Sequence, residues 1–192
     1  MTFLGLAGRS RRLLGVAALA LALAPVAAAA GPAADKAAEA EALLGSGNAA
    51  AGFDALDAAV EAFWAEAPLT LRKAVLIDAT GAPLAGPVSS GEAVHIAVEP
   101  AGYGFKEAGG TFAVSLSTAV EIRGGGGIVY AKSGDLGRLE WSGPKPDRSF
   151  TGRIGIGLPA LKAGDYEIVL TVTDDASGKS ATATLPVLIS AP

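Results

Sequence analysis

Cysteine is absent from this chain, and histidine and methionine occur once each. Without cysteine there is no disulfide, no thiolate nucleophile, no cysteine-ligated zinc or iron–sulfur centre and no lipid attachment through an N-terminal cysteine. Copper and nickel sites recruit several soft ligands, which one histidine and one methionine do not supply, so any metal site would have to be built from oxygens. Charge is scarce as well. Charged residues make up 18% of the 192 residues and hydrophobic residues 51%, a balance that excludes a solvated disordered chain. Much of the apolar share is alanine, which buries little surface per residue, so the large side chains carry the reading.

Arg9, Arg11 and Arg12 precede an apolar run from Leu13 to Ala24, Pro25 breaks it, and Ala27 to Ala30 offers the small residues a signal peptidase accepts. This order predicts a cleaved export signal over residues 1–30 and, with it, a periplasmic protein. The stretch Leu13 to Ala30 is 18 residues, just spanning length, so a retained anchor is the competing reading. Ser10-Arg11-Arg12-Leu13-Leu14 also resembles a twin-arginine signal. Setting the three arginines aside leaves 12 basic against 19 acidic residues, a net charge of −7. Neither phosphates nor acidic headgroups would be neutralised by such a surface, which argues against nucleic acid or a membrane as partner after cleavage.

Residues 31–70 read as a helical hairpin. Ala33 to Leu44 are strong helix formers, and Gly45-Ser46-Gly47-Asn48 supplies a stop and a turn. In the second helix, Ala49 to Ala67, the residues Phe53, Leu56, Val60 and Phe63 recur at three- and four-residue spacing and Trp64 widens the stripe. An isolated helix pair cannot bury these rings, so the stripe is expected to pack on the rest of the protein. The alanine spacing resembles half of a tetratricopeptide unit, but no second copy exists.

From residue 71 to 192 the period changes to two, and turn signals arrive every ten to twelve residues, as in a β-sandwich. Val94, Ile96 and Val98 alternate until Pro100 interrupts. Phe112, Val114, Leu116, Val120 and Ile122 mark one or two further runs; Leu139 to Trp141 form a short edge; Phe150, Ile154 and Ile156 share a face. Tyr166, Ile168, Leu170 and Val172 then point one way, Asp174 to Lys179 turns the chain, and Ala181, Ala183, Leu185, Val187 and Ile189 return. Just before this hairpin, Leu161, Gly164 and Tyr166 in Leu-Lys-Ala-Gly-Asp-Tyr look like the tyrosine corner of immunoglobulin-type domains. The segment thus resembles the immunoglobulin-like and fibronectin-like domains of proteobacterial periplasmic proteins. The resemblance implies a mainly β fold, an antiparallel immunoglobulin-like sandwich behind the helical hairpin, and it brings no functional residue.

Motifs that would carry chemistry fail on spacing. Ser177-Gly178-Lys179-Ser180 ends like a phosphate loop, but position 173 is Thr where that loop needs glycine, and it joins two strands. Gly124 to Gly127 lacks the third dinucleotide glycine, since position 129 is Val. His95, the one imidazole, alternates outward from Val94 and Ile96, and no Gly-x-Ser-x-Gly elbow accompanies it. Asp174 and Asp175 offer calcium ligands, yet Asp-rich turns are common without metal. What remains is Gly102-Tyr103-Gly104-Phe105, a Gly-rich loop whose aromatics either contact a partner or fold back to cap the sandwich, with Trp141 and Tyr130 as companions.

The function expected from all this is an exported, non-enzymatic binding or accessory module, free of cofactors, in which the hairpin packs on the sandwich and the loop aromatics Tyr103, Phe105 and Trp141, together with the hairpin, contact another envelope protein. The alternative is a small-ligand or glycan binder, or a carboxylate-based hydrolase, with a pocket between hairpin and sandwich.

Overall fold

The computed structural model describes residues 31–190. The predicted export signal over residues 1–30 lies outside them. Two helices, α1 (Pro32–Gly45) and α2 (Ala49–Glu66), precede ten strands. Pro32 sits where a missing amide hydrogen costs nothing, and Asp35 lies in the first turn, where the helix dipole favours an acid. Gly47, at φ +81°, turns the chain, and the Asn48 side chain accepts from the Ala51 amide at 3.4 Å to start α2. The helices meet through small residues: Gly52, Ala55 and Ala59 of α2 and Ala40 of α1 are the buried ones. A Cβ on Gly52 would lie 3.0 Å from Leu44 Cγ, so glycine there lets the Leu44 side chain lie close against α2 at the top of the pair. Among the described residues, no helix is long and apolar enough to cross a membrane.

The strands are β1 (Thr70–Ile77), β2 (Val88–Ser89), β3 (Ala93–Ala101), β4 (Lys106–Ala108), β5 (Thr111–Arg123), β6 (Val129–Ser133), β7 (Arg138–Gly143), β8 (Gly152–Gly157), β9 (Gly164–Asp174) and β10 (Ser180–Ser190). One sheet runs β1-β3-β8; the other runs β2-β10-β9-β5-β4, with β6 and β7 also paired to β5. All pairings are antiparallel except β2 with β10. Three strands against a larger sheet, with consecutive strands shared between the two layers, is the immunoglobulin-like sandwich. Alternation fills the space between the layers: Val94, Ile96 and Val98 of β3 and Ile154 and Ile156 of β8 meet Leu116 and Ile122 of β5, Ile168, Leu170 and Val172 of β9 and Val187 and Ile189 of β10.

Local departures from the expected pattern have visible causes. β3 runs through Pro100 to Ala101, because Pro100 falls opposite Leu71, where the β1 register shifts by a bulge and the missing amide hydrogen is not needed. The residues from Phe112 to Ile122 form one strand. β5 changes partner along one edge, from β7 to β6, and at the change its buried Thr118 donates through both its amide (3.1 Å) and its hydroxyl (3.0 Å) to the Gly137 carbonyl. Phe150, expected on a strand with Ile154 and Ile156, precedes β8 and packs on Tyr103 instead. The Tyr166 hydroxyl donates to the Lys162 carbonyl at 3.0 Å, so the tyrosine corner is formed.

Candidate docking face

The Gly102–Phe105 segment folds inward. Tyr103 is only 1% exposed, and its hydroxyl donates to the Asp147 carbonyl at 2.6 Å. Burial pushes this phenol up to about 12. Tyr103 is therefore corrected from a partner contact to a core residue. A glycine-flanked ring at the open end of a sandwich buries more apolar surface by capping the core than by facing water. Phe105 and Trp141 are half-buried members of the same edge-to-face chain. It runs from Trp64 to Tyr103 (5.1 Å between ring centroids), to Phe105 (5.4 Å) and on to Trp141 (6.4 Å), which lies across Gly143. Tyr130 is half exposed and packs edge-on against Tyr166 at 5.4 Å.

This chain of rings is the joint between hairpin and sandwich. Trp64 Nε1 donates to the Tyr103 carbonyl at 2.7 Å, and the Arg148 guanidinium lies over the indole at 5.8 Å while reaching Glu61 at 3.6 Å. Lys179, the residue of the supposed phosphate loop, points its ammonium at the end of α2, donating to the carbonyls of Ala65 (2.8 Å), Ala67 (2.7 Å) and Gly102 (3.3 Å). A lysine there satisfies carbonyls that the helix leaves unpaired and complements its dipole. Gly102 sits at φ +79°, and a Cβ on it would lie 2.4 Å from the Pro68 carbonyl oxygen. The pocket expected between hairpin and sandwich meets a space filled by the Trp64 and Tyr103 rings.

The remaining chemistry-bearing residues serve the fold. The buried Asp174 carboxylate accepts from the Gly104 amide at 2.8 Å, the Ala176 amide at 3.0 Å and the Ser177 hydroxyl, tying the β9–β10 turn to the capping segment. Asp175 accepts from Ser115 at 2.6 Å, from Ser117 and from Arg138 at 3.1 Å. These two hydroxyls, helped by the guanidinium, hold its carboxyl down at about 2. His95 stands on the outer face of β3 between Ile77 and Gly155 and lines a small cavity of about 120 Å³ with Asp78 and Glu92, neither of which it is hydrogen-bonded to. Among the described residues, no three His, Cys, Asp or Glu side chains gather as metal ligands.

The apolar stripe of α2 is where the structure departs furthest from expectation. Only Trp64 packs on the sandwich. Phe53 and Phe63 are each 64% exposed, Leu56 45% and Val60 43%. The helix turns its small residues inward, and the large ones, displaced by roughly one position around the helix, face solvent. Beside them runs a groove of about 480 Å³ whose walls are Leu56, Val60 and Phe63 of α2 and Ala33, Ala34 and Ala37 of α1, with Glu66 at one end. The periodicity of the stripe alone predicts burial; the Gly52, Ala55, Ala59 spacing is the signal that another face holds the helices together.

No family model matches the chain, and no curated protein matches it. Among solved structures the chain is similar to CopC from Methylosinus trichosporium OB3b, at 16% identity over 62% of this chain and 95% of that one, with a TM-score of 0.33. It is also similar to the Pseudomonas fluorescens alkylpurine DNA glycosylase AlkC bound to DNA, at 11% identity and a TM-score of 0.36, covering 80% of this chain and 42% of that one. A third similarity is to the CooA pilin subunit of enterotoxigenic Escherichia coli, at 15% identity over 62% of this chain and 99% of that one, with a TM-score of 0.24. Likeness at this level carries no argument about activity.

Proposed function

We propose that this protein is an exported, non-enzymatic accessory module that docks another cell-envelope protein through its helical hairpin, with the sandwich as the rigid carrier. One observation carries the reading. Four large apolar side chains stand exposed along α2, although the same helix is fixed to the sandwich by Trp64 and by the Lys179 ammonium. A fixed element with an uncovered apolar stripe is what a protein contact requires, and a stripe left bare would be an aggregation liability. The signal-like order of residues 1–30 supports a periplasmic setting.

Site-specific photocrosslinking in intact cells tests this. A photoreactive residue at Val60 is expected to capture a discrete envelope protein, and one at Thr184, exposed on β10, is not. If both positions give the same products, or position 60 gives none, the docking function is wrong. Fractionation of the same cells checks the location: recovery with the cytoplasm would remove the exported part of the reading.

A further inference from the structure

The docking surface has a shape and a charge that together specify its partner. Phe53, Leu56, Val60 and Phe63 follow a three-four-three spacing, which is the seam of a left-handed helix–helix contact; a β-strand would need a repeat of two. Alongside the seam, the methyl groups of Ala33 and Ala37 floor the groove between α1 and α2, and two antiparallel helices with a small-residue floor offer a third helix a cradle. Phe53 to Phe63 spans about 15 Å of helix axis, three turns, so the occupant needs only about 11–14 residues.

Electrostatics narrows the choice. Residues 31–67 carry seven carboxylates (Asp35, Glu39, Glu41, Asp54, Asp57, Glu61 and Glu66) and a single base, Lys36, which is paired with Glu39 at 2.7 Å. Asp57 and Glu61 each follow a seam residue by one position, Glu61 also lying 3.6 Å from Arg148 of the sandwich, and Glu66 closes one end of the groove. A second copy of this hairpin would set acid against acid along the α2 side of the groove, and an anionic lipid surface would be repelled in the same way. Lysines and arginines flanking an apolar stripe would instead be attracted to these carboxylates.

Resting on the docking reading above, we infer that the hairpin groove takes a basic amphipathic helix of the partner protein, its apolar stripe laid along Leu56, Val60 and Phe63 and its cations facing Asp57, Glu61 and Glu66.

A displayed library of 14-residue helical peptides is the test, with a fixed three-four leucine stripe and Lys, Glu, Gln or Ser allowed at the flanking positions, selected against the protein purified from the envelope. The expected winners carry Lys at the flanks. Their affinity should fall at least about tenfold with Leu56→Asp or Val60→Asp, and by several-fold when salt rises from about 0.1 to 0.5 M, where the screening length shortens to a few ångströms. Both substituted side chains are about half exposed, so folding should survive, and unchanged hydrogen-exchange protection in the sandwich verifies it. The same peptides should lose their preference for lysine against Asp57→Asn/Glu61→Gln. Winners that are neutral or acidic, binding indifferent to Leu56→Asp, or no winners at all would overturn the inference. So would sedimentation showing a dimer that Leu56→Asp dissociates, which would make the occupant a second copy. A crosslink from position 60 to an envelope protein without a basic winner sinks only the helix; absence of any crosslink sinks the docking function itself.

Discussion

Replacing Trp64 by alanine is the sharpest perturbation of the joint. The indole is half-buried against Tyr103, so it removes roughly 120 Å² from water, worth about 3 kcal/mol at ~25 cal/mol per Å². Its 2.7 Å bond to the Tyr103 carbonyl adds about 1 kcal/mol and the edge-to-face contact somewhat less than that. Trp64→Ala should therefore cost the joint about 4 kcal/mol, and Trp64→Phe, which keeps a ring and loses the donor, about 1–2 kcal/mol. Helices of 14 and 18 residues have little stability of their own in water, so the loss should appear locally. Native-state hydrogen exchange reads it directly. Amides of α1 and α2 should lose two to three orders of magnitude of protection, roughly the factor that about 4 kcal/mol implies, while those of β9 and β10 change by less than about tenfold. Parallel loss in hairpin and sandwich would show that the two unfold as one unit. Unchanged hairpin protection would show that Trp64 does not hold it; either result refutes the reasoning.

Gly102→Ala adds a Cβ 2.4 Å from a backbone oxygen at a φ of +79°, so it should destabilise the joint by more than about 2 kcal/mol, seen as easier proteolysis between α2 and β1. Asp175→Asn should cost about 1 kcal/mol at neutral pH after allowance for solvent screening. Because the folded carboxyl is held at about 2 and the unfolded one near 3.8, the Asp175 contribution is complete above about pH 4 and fades as pH falls towards 2. Denaturant midpoints of variant and parent should therefore converge in acid, and a gap that persists at pH 2 would contradict it. Tyr103 has the opposite sign: its neutral form is favoured, so its stabilisation is complete below pH 10 and is lost as pH rises towards 12. Ultraviolet titration should show a phenol ionising near 12, and Tyr103→Phe should remove that step. Tyr166→Phe should lower stability by about 1 kcal/mol in chemical denaturation, through loss of the bond to Lys162.

Sequence reasoning reached the strands best where one face is wet and one dry, since alternation then writes burial into the residues. Val94 to Val98 show this most cleanly, and Tyr166 to Val172 nearly so, with Val169 buried on the other face. The corner tyrosine was legible for another reason: its bond is local, closing over four residues. The partner change along β5 was not legible, because Thr118 is matched to Gly137 by tertiary placement and not by any pattern within β5. Pro100 looked like an end because the bulge in β1 that accommodates it belongs to a different segment. The aromatic misassignments share a cause. Periodicity identifies which side of a helix is apolar but not what covers it, and a Gly-rich loop gives no indication whether its rings turn in or out. Tyr103 and Phe63 consequently exchanged roles between expectation and structure.

The contact between α1 and α2 uses glycine and alanine alone among its buried residues. A hairpin whose self-recognition depends on methyl-sized groups leaves its bulky positions unconstrained by the fold. Substitutions at 53, 56, 60 and 63 can therefore retarget the surface while the two helices keep their register, so that what the protein recognises and how firmly it stands are free to change separately.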